Sequence, residues 1–145
     1  LIPLAVLKAI NGEKIPLYGD GMNIRDWIYI DDHINGLLLA ALKGIPGERY
    51  CIGGYGEKTN QEVLLQICRE LDIMKPKNIS YINQIEKVND RPGHDYRYSI
   101  NSEKITNNLG WKPIINFNDG LKITIKWYLE NINWCKEITS LKKYN

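Results

Sequence analysis

Residues 17–33, LYGDGMNIRDWIYIDDH, decide how this chain folds. Two glycines bracket Asp20, and glycine takes positive φ without steric cost, so Gly19-Asp20-Gly21 is predicted to be a tight turn. Residues 14–18 before it predict a short strand. Residues 27–30 after it, rich in aromatic and β-branched side chains, predict a second. Asp31 or Asp32 then stands where a helix through Asn35, Leu38, Leu39 and Leu42 needs its cap, with Gly44 as the stop. Between turn and strand sits Arg25. Its guanidinium is always charged and presents a planar fork that matches phosphate oxygens two at a time. A diphosphate would answer that charge, and so would a salt bridge to Asp26 or to a more distant acid.

Outward from this stretch the pattern continues. Residues 1–10 predict a helix stopped by Asn11-Gly12. Pro46-Gly47 predicts a turn, and residues 49–52 a strand ending at Gly53-Gly54. Thr59-Asn60-Gln61-Glu62 fits a capping box, with Glu62 three residues after Thr59. Behind it Val63, Leu64, Ile67, Cys68 and Leu71 recur at helical spacing, and Pro76 closes the segment. Residues 80–95 hold no period. Residues 96–100 predict a short strand, and Ser102 a cap for a helix carrying Ile105 and Leu109, stopped by Gly110. A last helix carries Leu121, Ile125, Tyr128, Leu129 and Ile132 on one face, with a fraying polar tail from Trp134. Strands and helices alternate with short links, so the class is α/β. The chain begins at Leu1, inside a helical pattern and without methionine, which predicts a portion of a longer protein.

Bulk properties narrow the partners. The 145 residues are 43% hydrophobic and 25% charged, enough for a packed core. A net charge of +2 sets nucleic acid aside as a partner, because duplex binders carry a basic face; the longest basic run is Lys142-Lys143. Cys51, Cys68 and Cys135 lack metal-ligand spacing and predict buried, reduced thiols in a cytoplasmic protein. No apolar run approaches the roughly 20 residues of a membrane helix, so no membrane partner is predicted.

The chemistry-bearing groups lie at the ends of elements. No G-x-G-x-x-G occurs; Gly53-Gly54-Tyr55-Gly56 is the nearest approach and lacks the spacing. Besides Arg25, Asn60 falls in the first turn of the capped helix, where unpaired amides favour an anion, or where the residue simply faces solvent. Asn89-Asp90-Arg91-Pro92-Gly93-His94-Asp95 holds two potential cations, Arg91 and His94, and two acids on a Pro-Gly bend, suited to a phosphate or sugar, although a plain surface turn shows the same Pro-Gly pair. Tyr18 abuts the Gly19 turn and can stack on a base.

These segments together resemble one family. LYGDGMNIRDWIYIDDH, YCIGGYGEKTNQEV, DRPGHDYRY and LGWKP followed by WYLEN occur in an order similar to the carboxyl-terminal half of the dTDP-glucose 4,6-dehydratases, nucleotide-sugar enzymes of the extended short-chain dehydrogenase/reductase family. The likeness runs from Leu1 to about Trp134. It implies the carboxyl-terminal part of an interleaved α/β fold: Rossmann-type sheet elements binding NAD, and a smaller region closing over the nucleotide sugar. By the same resemblance, Leu1, Ile2 and Pro3 match a helix start at the nucleotide site, and Pro16, Leu17 and Tyr18 a segment touching the base. Arg25 matches the arginine on the diphosphate, Asn60 a further contact, and Asp90, Arg91, Pro92, Gly93 and His94 the loop closing the site.

The family's reaction moves a hydride from the sugar's C4 to NAD, eliminates water across C5 and C6, and returns the hydride at C6. The resemblance places its catalytic residues, the NAD loop and most dimer-forming helices in the amino-terminal half. This chain of 1–145 is therefore expected to be a substrate-binding portion, inactive alone, of an enzyme working as a homodimer. Cys51 replaces the asparagine usual in the family's YNIGG. An epimerase, a uronic-acid decarboxylase or a non-catalytic nucleotide-sugar module is the alternative.

Overall fold

A computed structural model describes residues 1–141; the basic pair Lys142-Lys143 lies outside the described residues. Its elements run α1 (Ile2–Ile10), β1 (Ile15–Tyr18), β2 (Ile24–Asp26), α2 (Ile30–Lys43), β3 (Glu57–Thr59), α3 (Asn60–Met74), a 3₁₀ turn (Tyr81–Gln84), β4 (Ile85–Val88), α4 (Glu103–Leu109), α5 (Phe117–Glu130) and α6 (Ile132–Leu141). The α/β class predicted from the sequence is the class observed. The strands form two small ladders: β1 runs parallel to β4 with Ile15 opposite Ile85, and β2 antiparallel to β3 with Arg25 opposite Lys58.

The main core lies where α1, α3 and α5 meet β1. Val63, Leu64, Ile67, Cys68 and Leu71, the periodic face of α3, are all fully buried there. Each of the four aliphatic side chains among them contributes about 1.5–3 kcal/mol by leaving water. A smaller cluster of Ile52, Ile105 and Trp111 joins α2 to α4. Asp32 is buried beside it and ties the chain after α4 to α2. Its Oδ2 accepts from the Ile114 and Ile115 amides at 3.1 and 2.8 Å, and its carbonyl from Trp111 Nε1 at 3.2 Å.

Several expected elements differ from those observed. The strand predicted at residues 27–30 lies earlier, at β2, and Tyr29 rather than Asp31 or Asp32 holds the cap position of α2. Residues 49–52 form no ladder. The reason lies in the backbone donors of the glycine segment. Gly53 N donates to Ser102 Oγ at 2.7 Å, and Gly54 N and Gly56 N donate to the Asp26 carboxylate at 3.1 and 2.9 Å. A Cβ on Gly54 would stand 2.0 Å from the Trp27 carbonyl, and Trp27 N donates to the Gly56 carbonyl at 3.3 Å, so the segments lie in contact without a ladder at residues 49–52. Ser102, busy with Gly53, gives α4 no side-chain cap.

The strand predicted at residues 96–100 shrinks to one parallel pairing. Ile24 N donates to the Tyr96 carbonyl at 2.7 Å, and Tyr98 N to the Ile24 carbonyl at 3.1 Å. Residues 80–95 hold a strand the sequence did not signal, because β4 has two charged residues between two apolar ones and depends on β1 for its bonds. The tail from Trp134 continues as helix through Leu141. Cys68 and Cys135 are buried, whereas Cys51 is exposed and outside any strand.

Candidate functional site

Strand pairing builds the site. The β2–β3 ladder sets Ile24 opposite Thr59, so Arg25 on one strand comes beside Asn60, the first residue of α3. The capping box that launches α3 is complete: Glu62 N donates to Thr59 Oγ1 at 3.1 Å, and Thr59 N to Glu62 Oε2 at 2.7 Å. The Gly19 and Gly21 turn, at φ of 59° and 76°, swings the end of β1 back toward α3. Parallel pairing of residues 96–98 with Ile24 then lays the 90–98 loop over Arg25.

A cleft of about 620 Å³ results, lined by Leu1, Leu4, Ala5, Ile15, Pro16, Tyr18, Arg25, Asp26, Trp27, Asn60, Arg91 and His94. Seven of the predicted site residues thus come together: Leu1, Pro16, Tyr18, Arg25, Asn60, Arg91 and His94. Ile2 and Pro3 face a neighbouring cleft of similar size walled by Trp27–Asp31 and α5. The lining of that second cleft contains no Lys or Arg, whereas the first brings Arg25 and Arg91 together. Leu17 points into the main core and is 3% exposed, because alternate residues of β1 face opposite ways. Asp90, Pro92 and Gly93 are not among the lining residues, and Asp90 bonds the His94 ring.

Arg25 has no ion pair among the described residues. Its adjacent acid, Asp26, turns away to the Gly54 and Gly56 amides. The guanidinium donates instead to neutral acceptors: the carbonyls of Ile24 at 2.6 Å, Tyr96 at 3.4 Å and Asp95 at 3.0 Å, and His94 Nε2 at 3.0 Å. It also lies over the Tyr98 ring, 4.5 Å from the centroid. These contacts orient the charge without neutralising it. Such a cation at a cleft retains most of its attraction for an anion.

Asp90 bonds His94 Nδ1 at 2.7 Å, and that bond holds its carboxyl below the usual range. A hydrogen bond from Tyr98 to Asp95 raises the phenol's pKa.

The α3 terminus differs from its expectation. Asn60 N donates to the Asn23 carbonyl at 3.0 Å, and Gln61 N to the Gly21 carbonyl at 2.9 Å. With Glu62 N on Thr59, the first-turn amides are spent within the chain, and only the Asn60 side chain is offered to the cleft. Sequence reasoning also missed Asp26, Trp27 and Tyr98. Tyr98 shares the segment DRPGHDYRY, but only its pairing with Ile24 carries the ring under Arg25.

Gly53-Gly54-Tyr55-Gly56, the nearest approach to a dinucleotide loop, does not fit a pyrophosphate. Asp26 already occupies the anion seat its amides make, and Trp27 O fills the space above Gly54. Among the described residues no cluster of His, Cys, Asp and Glu is arranged to hold a metal ion, and no helix is long and apolar enough to cross a membrane.

Comparison with known proteins accords with this geometry. The family model described as GDP-mannose 4,6 dehydratase matches residues 1–124. The chain is 49% identical to a dTDP-glucose 4,6-dehydratase of Shigella flexneri over 97% of its own length and 39% of that protein's. It therefore spans about two fifths of the curated relatives it matches. Among solved structures it resembles the Bacillus anthracis str. Ames dTDP-glucose 4,6-dehydratase in complex with NAD, at 46% identity and a TM-score of 0.81, covering 92% of this chain and 40% of that one. It also resembles DesIV, a dTDP-glucose 4,6-dehydratase of Streptomyces venezuelae with NAD and TYD bound, at 42% identity and a TM-score of 0.85, covering 92% and 39%.

Proposed function

We propose, from the premise that this chain belongs to the GDP-mannose 4,6-dehydratase family, that residues 1–145 are the nucleotide-sugar-binding portion of an NAD-dependent dTDP-glucose 4,6-dehydratase. The whole enzyme converts dTDP-glucose to dTDP-4-keto-6-deoxyglucose and water. One observation supports this portion's role above the others: Arg25, with no ion pair among the described residues, lines one cleft with Asn60, Arg91, His94 and apolar side chains such as Leu4 and Ile15. A nucleoside diphosphate has the matching parts.

Two phosphates face the guanidinium. The base lies along Pro16 and Tyr18 at the end of β1, and Asn60 offers an amide to the sugar or its link. The glycine segment 53–56 does not fit a pyrophosphate, and by the family resemblance NAD is held mainly by a portion outside these residues, so no chemical step is assigned to this chain. Its work is to bind, orient and cover the substrate. Alone it is expected to be inactive, and the whole enzyme to act as a cytoplasmic homodimer.

Two measurements test the reading. Incubating the full-length enzyme with dTDP-glucose should yield a 4-keto-6-deoxy sugar; an epimerised or decarboxylated product would overturn it. Arg25→Ala should weaken thymidine diphosphate binding in calorimetry by about 1.5–3 kcal/mol, the range for a hydrogen bond to a charged group. Unchanged affinity would return Arg25 to a structural role.

A further inference from the structure

The contacts of His94 form a line. Asp90 Oδ1 lies 2.7 Å from His94 Nδ1, and Arg25 Nη2 lies 3.0 Å from His94 Nε2. A guanidinium N–H can only donate, so Nε2 accepts, and the proton of the neutral ring sits on Nδ1, facing Asp90. The imidazole is enclosed, at 8% side-chain exposure, while Asp90 is 40% exposed. Asp90 is itself held in place. Its Oδ1 also accepts from the Arg91 amide at 2.9 Å, and a Cβ on Gly19 would stand 3.0 Å from its Oδ2, so the glycine turn abuts the carboxylate.

We propose that Asp90 is a positioning residue for Arg25: by holding the proton on Nδ1, it keeps Nε2 of His94 an acceptor for the guanidinium. In the other tautomer the ring would point a donor at a donor. Arg25 would then lose its one side-chain acceptor and keep only backbone carbonyls. Through the ring, an acid outside the cleft lining sets the aim of the cation inside it. The consequence for binding rests on the diphosphate reading of Arg25; the proton's position does not.

The test uses the full-length enzyme with ¹⁵N-labelled histidine. The His94 ring should carry its proton on Nδ1 near neutral pH; a wild-type ring protonated on Nε2 overturns the proposal without any variant. Asp90→Ala should move the proton toward Nε2 and raise the Kd for thymidine diphosphate several-fold. Asp90→Asn, whose amide oxygen still accepts from Nδ1, should retain the tautomer and most of the affinity. In a His94→Ala background, Asp90→Ala should cost nothing further. An unmoved tautomer in Asp90→Ala, or a loss that persists undiminished without His94, would show that Asp90 acts by another route. If the wild-type enzyme does not bind the nucleotide, the proposed function fails, and the ring resonances alone decide whether Asp90 sets the proton.

Discussion

The two oxygens of Asp26 accept from the Gly54 and Gly56 amides, and this occupation separates Asp26 from the arginine beside it. Asp26→Ala would orphan both donors, with an expected loss of about 1–3 kcal/mol in urea unfolding. Asp26→Asn, which keeps one acceptor oxygen, should lose less. The cysteines supply a second test at this scale. Burial pushes the Cys68 thiol up to about 11. Its neutral form is therefore favoured in the folded state, and the unfolded chain releases that proton first. The Cys68 contribution should be constant below about pH 9 and fall as pH rises from 9 to about 11. At pH 8, iodoacetamide should modify exposed Cys51 quickly and leave Cys68 and Cys135 protected; mass spectrometry of the native protein would read this directly.

At the scale of elements, α3 was the most legible, because its start and its face are both written locally. The capping box and the five-residue apolar stripe lie within residues 59–71, and all of them behave as their spacing requires. Thr59→Ala should destabilise the fold by about 0.5–2 kcal/mol, as loss of a helix cap does elsewhere, measured by urea titration. Strands were less legible. A strand exists only through its neighbour, and β4 finds its neighbour β1 about seventy positions away. Residues 27–30 and 49–52 carry strand-forming side chains, yet the Gly54 and Gly56 amides that pass beside Trp27 are spent on Asp26.

For the whole molecule, the exposed apolar surface is the outstanding feature. Ile34, Leu37, Leu38 and Leu42 fall on one stripe of α2, and Leu42 is 81% exposed. A contiguous apolar stripe of this kind is adhesive. The chain by itself should therefore associate as its concentration rises in sedimentation, and Leu37→Lys with Leu42→Lys should shift it toward its 16.8 kDa monomer. By itself the sequence determined most of the helices, the glycine turn and the α/β class, because caps, apolar periods and turn residues act over a few positions. Only the tertiary structure decided which acid Arg25 would lack, that the amides at the start of α3 are already spent, and that Asp90, His94 and Tyr98 gather around one guanidinium. Those outcomes depend on which distant donor reaches which acceptor, and no local pattern encodes that competition.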